Sequence, residues 1–321
     1  MRVLLWHVHG SWTTSFVQGR HAYLLPVLPD RGPDGRGRAR TWDWPAAARE
    51  VPSGRLRDED IDVVILQRPH EEELTWQLTG RRPGADLPAV YLEHDAPWGD
   101  VPQTRHPVAG RRDLHLVHVT HFNELFWDSG ATPVSVIEHG VADPGPMWTG
   151  EIARAGVVIN EPGRRGRYTG TDLLPFFAEH AGLDVFGMGV ADLPGRLRTP
   201  PGAVRGVEDL PQAAMHAELA RRRVYLHPFR WTSLGLSLIE AMHLGMPVVA
   251  VAATEVTEAV PPGAGIVSTR RGGLRDAVRR LIADPAEGAE LGARAREAAL
   301  GRYGLGRFLA DWDRLLAEVT R

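Results

Sequence analysis

The sequence predicts an α/β protein built as two parallel-sheet domains in series, and three observations predict it. Short continuous apolar runs alternate with amphipathic segments along the whole chain, the pattern of buried parallel strands joined by crossover helices. The alternation restarts after the Pro/Gly-rich stretch Asp143–Thr149, which puts a domain boundary near residue 147. In the second half, Val224–Ser268 runs strand, glycine-bearing turn, helix, strand, acidic turn, the order in which such sheets build anion sites. With 321 residues, 43% of them apolar, the chain has material for two cores.

In the first domain, residues 1–147, the runs Val3–Val8, Ile61–Leu66, Ala89–Leu92, Leu114–Val119 and Val134–Ile137 read as strands. Glu71–Leu78 and His121–Asp128 read as short helices, and the Gly- and Arg-rich Asp30–Arg40 as an exposed loop. In the second, residues 148–304, a strand at Gly156–Ile159 leads through an Arg/Gly loop to a helix at Thr171–His180, then a strand at Asp184–Phe186 and a helix at Gln212–Arg222. Val224–Leu226 is the next strand. The helix after it carries Leu238, Ile239, Met242 and Leu244 on its apolar side and ends at Gly245-Met246-Pro247, before the strand Val248–Val251. Leu274–Ala283 and Ala289–Leu300 are amphipathic helices. Residues 305–321 form a last helix with Phe308, Trp312, Leu315, Leu316 and Val319 on one face. Sheets of this kind bind ligands at the carboxyl ends of their strands, here expected in a cleft between the halves.

The net charge of −3 gives no electrostatic reason to expect nucleic acid as a partner, and leaves at most peripheral contact with a membrane. The absence of cysteine excludes disulfides, zinc–thiolate sites and thiol nucleophiles. The N-terminal MRVLLWHVHG is too short an apolar run for a signal peptide, and no stretch approaches the roughly 18 apolar residues of a membrane span, so a cytoplasmic protein is expected. Every basic residue is arginine, a bias of genome composition with one chemical consequence: a phosphate clamp here has to be built from guanidinium groups.

Glu240 lies inside the helix after the glycine turn, with apolar neighbours. A carboxylate there can accept from two vicinal hydroxyls, as a ribose offers, or can simply face solvent. Arg164, Arg165 and Arg167 stand between a strand and a helix, where their forks suit phosphate; a solvated basic loop is the alternative. Arg230 either reaches the same phosphate or stacks on Trp231. Thr232 and Ser233 bond a ligand's hydroxyls or cap the helix, and Gly235 lets backbone approach a ligand closely. His7 and His9 have the spacing of metal ligands at a strand end, with His94, Asp95, His118 and His121 further on. A metal there would call for a single eight-unit barrel, which the Val224–Ser268 pattern opposes. His94 ends a strand and is otherwise a satisfied buried histidine; Glu93 and Asp95 beside it offer carboxylates to an acceptor. Trp12, Trp42, Trp44 and Trp98 stack on a sugar or pack. No G-x-x-x-x-G-K-[ST], H-E-x-x-H or G-x-S-x-G segment occurs.

HPFRWTSLGLSLIEAMHLGMPVVA resembles the donor-site signature of retaining GT-B glycosyltransferases, family four (glycosyl transferases group 1). Gly235-Leu236 matches the signature's turn, Glu240-Ala241-Met242 its second Glu, and Gly245-x-Pro247-Val248-Val249-Ala250 its tail. Thr254-Glu255-x-x-Glu258 and Gly263-Ala264-Gly265 are similar to the segments that follow. Val136–Val141 resembles the V-I-P-N-G-V segment ending the family's first domain, and Gly163-Arg164 through Thr169-Gly170 its phosphate loop. Two departures stand out: the first Glu of the E-x7-E pair falls on Thr232, and the loop Lys on Thr169. Arg165 or Arg167 is expected to replace that Lys.

The resemblance implies two Rossmann-like domains facing across a cleft, with the last helix crossing back to the first. It implies transfer of a sugar, with retention and front-face attack, from a UDP- or GDP-linked donor to a hydroxyl acceptor. No metal is implied, and no cofactor beyond the nucleotide sugar as co-substrate. His94, Arg164 and Glu240 take the catalytic roles. Gly10, Arg164, Arg165, Arg230, Thr232, Ser233, Gly235, Leu236 and Glu240 take the donor, with Glu240 on the ribose, and Ser11, Trp12 and Asp95 take the acceptor. Loss of the first signature Glu keeps two alternatives open on the same scaffold, a nucleotide-sugar epimerase and a non-catalytic nucleotide-sugar-binding protein.

Overall fold

The computed structural model describes all 321 residues and divides into two compact units: Met1–Gly140 with Leu305–Arg321, and Val141–Gly304. The first unit is a seven-stranded sheet of β1 (Arg2–Leu5), β2 (Ala22–Val27), β3 (Ala48–Pro52), β4 (Val63–Leu66), β5 (Ala89–Glu93), β6 (His115–His118) and β7 (Val134–Val136), in the order β3-β2-β1-β4-β5-β6-β7. Every pairing is parallel, and the order reverses between β1 and β4. The five expected strands are all present. β2 and β3 were not expected: Pro26 interrupts the β2 run, and β3 is an edge strand of which only Ala48 and Val51 are buried.

Asp30–Arg40 is not the exposed loop the composition suggested. Arg31 forks onto Glu50 with bonds of 2.7 and 3.0 Å, the Arg38 amide donates to the same carboxylate, and Gly35 and Gly37 are buried. A carboxylate on β3 thus draws the loop inward. The helix Leu305–Val319 belongs to this unit. Phe16 meets Trp312 at 5.0 Å between ring centroids, Trp12 meets it at 5.6 Å, and Arg307 donates to the carbonyls of Glu138 and His139.

The second unit is a six-stranded parallel sheet of β8 (Ile152–Val158), β9 (Leu183–Gly187), β10 (Val204–Glu208), β11 (Arg222–His227), β12 (Val248–Val251) and β13 (Ile266–Ser268). Its order, β10-β9-β8-β11-β12-β13, reverses between β8 and β11. Side chains alternate across it: Val224 and Leu226 pack with Leu274, Val278 and Leu281 on one face, and Tyr225 with Leu238, Ile239 and Met242 on the other. β10 was not expected, because Gly206 and two charged residues break its apolar run. The expected helix Thr171–His180 is a 3-10 turn, Thr171–Leu173, followed by one short helix, Leu174–Ala178. Residues 141–147 go with this unit, because Arg296 forks onto Asp143 and the Trp148 amide donates to Leu244 O at 3.0 Å. No helix is long and apolar enough to cross a membrane.

Two buried features tie stability to charge. Asp184 on β9, 1% exposed, accepts from Arg154 on β8 and from Arg222 on β11, so one carboxylate links three adjacent strands. Replacing it with Ala leaves Arg154 and the buried Arg222 without that partner. Asp184→Ala should lower stability by about 3–5 kcal/mol in chemical denaturation; a loss under about 1 kcal/mol, the range of an exposed pair, would contradict the assignment. Burial also lowers His118, His139 and His227 to about 3. Each therefore binds its proton more readily unfolded, so stability is full above about 6.5 and is lost as pH falls toward 3. From pH 7 to pH 5 each should remove about 1–2 kcal/mol. Urea midpoints at the two pH values should fall apart accordingly, and His139→Asn should narrow the gap. A gap unchanged in His139→Asn would refute its share.

Candidate functional site

The carboxyl end of β11 is His227, and the chain then runs through a loop to the helix Leu236–His243. Thr232 and Ser233 do not cap that helix. Its N-cap is Gly235, in extended backbone geometry. The chain stays non-helical through Leu234, whose side chain is buried in the core. A Cβ on Gly235 would lie 2.6 Å from His227 Cε1. Glycine is thus required here by a buried imidazole. The Tyr225 hydroxyl, between the two elements, donates to Ser237 Oγ at 2.9 Å.

Glu240 is 5% exposed, so it is not a solvent-facing helix residue. Gln212 Nε2 donates to its Oε1 at 2.9 Å, and His216 Nε2 lies 3.6 Å from its Oε2. Both partners come from the helix Gln212–Ala220, and neither was singled out from sequence. Their spacing of four on a helix was the available signal.

The Arg/Gly loop packs against the segment that leads into the helix. Gly170, at φ 71°, allows this: a Cβ there would lie 2.0 Å from Pro228 O. Arg165 sits over the Phe229 ring at 5.9 Å, which brings it to that segment. Arg164 is exposed and donates to Glu161 at 2.6 Å. Arg230 forks onto Asp172, which also accepts from Arg167 at 2.9 Å. Thr169 is fully buried, its hydroxyl 3.3 Å from that of Thr171, and contributes nothing to a ligand surface.

In the first unit, Gly10 opens the helix Gly10–Phe16, and a Cβ on it would meet the Trp42 ring at 2.5 Å. Ser11 is partly exposed beside it and Asp95 is exposed after β5. Trp12 is 1% exposed and stacks on Phe16 at 4.8 Å, so it faces the core and offers no face to an acceptor. Trp44 is likewise buried; Trp98 is exposed. Glu93 is engaged by His106 Nε2 at 3.0 Å, with burial pushing its carboxyl up. His94 lies 3.9 Å from His9 between ring centroids. Gln67 donates to Trp6 O and turns its oxygen to His94 Nε2 at 3.0 Å, which makes that nitrogen the protonated one. Burial holds His94 well below 6.5 and neutral. His7 turns to Gly37 O and the Trp44 ring, away from His9, and no group of three His, Asp or Glu side chains is placed to hold a metal ion.

Residues 202–299 match the family described as glycosyl transferases group 1. Among solved structures, sucrose-phosphate synthase from Thermosynechococcus elongatus is similar over 99% of each chain, at 15% identity and TM-score 0.74. Anabaena Alr3699/HepE in complex with UDP-glucose is similar over 99% of this chain and 100% of its own, at 13% identity and TM-score 0.68. AviGT4, a glycosyltransferase of avilamycin A biosynthesis, is similar over 100% of this chain and 98% of its own, at 15% identity and TM-score 0.64. No curated protein sequence matches. At these identities the structural likeness is one of fold, and the fold is that of GT-B enzymes, two parallel α/β units. Residues 202–299, which contain Glu240 and the Gly235 turn, match glycosyl transferases group 1, and that match on a GT-B fold supports a glycosyltransferase.

Proposed function

We propose that the chain is a retaining, metal-independent glycosyltransferase that moves a sugar from a UDP- or GDP-linked donor to a hydroxyl acceptor. The observation that carries this reading is the buried carboxylate of Glu240, one turn inside a glycine-started helix in the matched domain. That carboxylate has the acceptor capacity for a ribose diol. The amides at the Gly235–Leu236 helix start, with Arg165 and Arg164, meet the diphosphate and stabilise it as it leaves. The UDP and UDP-glucose complexes of Alr3699/HepE favour a uridine donor.

The first unit binds the acceptor through Ser11 and Asp95, with Gly10 toward the donor. His94, its Nε2–H held by Gln67, keeps the catalytic role that the resemblance implies. As the anomeric carbon–oxygen bond to the diphosphate breaks, the acceptor oxygen bonds to that carbon from the same face. The leaving phosphate oxygen takes the acceptor's proton, so no side-chain base is assigned. Thr232, a neutral residue at the position of the first signature Glu, is the one observation favouring nucleotide-sugar binding without transfer.

Incubation with UDP- and GDP-sugars and a panel of hydroxyl acceptors should release the nucleoside diphosphate. Binding with no release across the panel would favour the non-catalytic reading, and epimerised donor without release the epimerase. Glu240→Ala should weaken nucleotide binding by about 1.5–3 kcal/mol in calorimetry; unchanged affinity would remove the ribose assignment. EDTA should leave turnover intact, and a loss restored by Mn²⁺ would overturn metal independence.

A further inference from the structure

Glu240 is gripped from a second helix, at a place the signature does not reach. Gln212 and His216 lie one turn apart on Gln212–Ala220 and share a face. Gln212 Nε2 bonds Oε1 at 2.9 Å, and His216 Nε2 stands 3.6 Å from Oε2. His216 is 5% exposed and this nitrogen meets no hydrogen-bond partner, a costly state for a buried polar group. A few tenths of an ångström would complete its bond to the carboxylate. An ionised carboxylate offers about four lone-pair sites, so two N–H donors leave two for hydroxyls.

We propose that Gln212 and His216 are positioning residues that fix the plane of the Glu240 carboxylate for a ribose diol, and thereby set a preference for ribo- over deoxyribonucleoside diphosphates. The inference rests on Glu240 holding the ribose. A Glu side chain turns about three bonds; the Gln212 bond on one oxygen restrains it, and closure of His216 onto the other would remove the remaining freedom. Neither Gln212 nor His216 has to touch the nucleotide.

The test is calorimetric, on the full chain, with UDP and 2′-deoxy-UDP and with GDP and 2′-deoxy-GDP. The wild type should bind the ribo form of its nucleotide about tenfold or more tightly than the deoxy form, the range of a hydroxyl bonded to a charged group. Gln212→Leu and His216→Phe should each cut that ratio by about threefold or more, mainly by weakening the ribo form, and His216→Gln, which restores an N–H donor, should recover it. Gln212 is only partly buried at a helix start, so Gln212→Leu serves even where His216→Phe does not fold. Equal weakening of both forms would mark a structural role and overturn the proposal. So would wild-type ratios in both variants beside a lost ratio in Glu240→Ala, and in that case the ribose reading survives. No nucleotide binding, or an unchanged ratio in Glu240→Ala, removes the ribose reading and this one together.

Discussion

Without a Cβ at residue 235, the start of the helix Leu236–His243 settles directly onto the imidazole of His227 at the end of β11. Most of the second unit's site follows from that contact. The helix lies deep enough for Leu238, Ile239 and Met242 to close over Tyr225, and the same depth carries Glu240 below the surface. His227 in turn is confined among Phe229, Tyr225 and the glycine, where a charged ring would be poorly solvated; burial keeps it neutral. A side chain at 235 would lift the helix start and move every group the site depends on, and a charge on His227 would oppose the same seating.

The arginines show how little a basic loop reveals without its carboxylates. Arg164 answers to Glu161, and Arg167 and Arg230 share Asp172. Asp172 is therefore a tie between the Arg/Gly loop and the segment entering the helix, and it holds two guanidinium groups at fixed places. A paired arginine projects a weaker field toward a ligand than its formal charge suggests. Arg165 is anchored differently, over the Phe229 ring, on the side of the loop that faces the helix entry. Position against that entry, rather than basic charge alone, separates the four.

Sequence patterning was most informative where burial is symmetric and least where it is not. β1, β4, β5, β11 and β12 are buried on both faces and read as continuous apolar runs. β3 and β10 are edge strands, half polar by necessity, and escaped notice for that reason. Trp12 misled because a tryptophan after a strand end looks like a sugar platform, whereas a helix more than 290 residues away closes over it. Partners supplied by distant segments were not singled out: Asp172 for Arg230, Gln67 for His94, and Gln212 and His216 for Glu240, the last two marked only by their spacing of four. The burial of Glu240 was legible from its apolar neighbours; the groups beside it were not.

The same partners bear on Thr232. Under the proposed reading Thr232 stands where the resembled signature has its first Glu, two residues along the chain from Arg230. A carboxylate here would compete with Asp172 for that guanidinium and add negative charge where a diphosphate is to approach. Two such charges about 5 Å apart repel by roughly 3 kcal/mol at the effective dielectric of a protein surface. Threonine avoids that repulsion and leaves Arg230 on Asp172. Its hydroxyl can donate as well as accept, so a sugar hydroxyl could be met in either sense, where a carboxylate only accepts. The substitution is thus chemically consistent with the Arg230–Asp172 tie, and it shifts the burden of ionic recognition in this segment onto the buried carboxylate of Glu240 and the helix from which it is held.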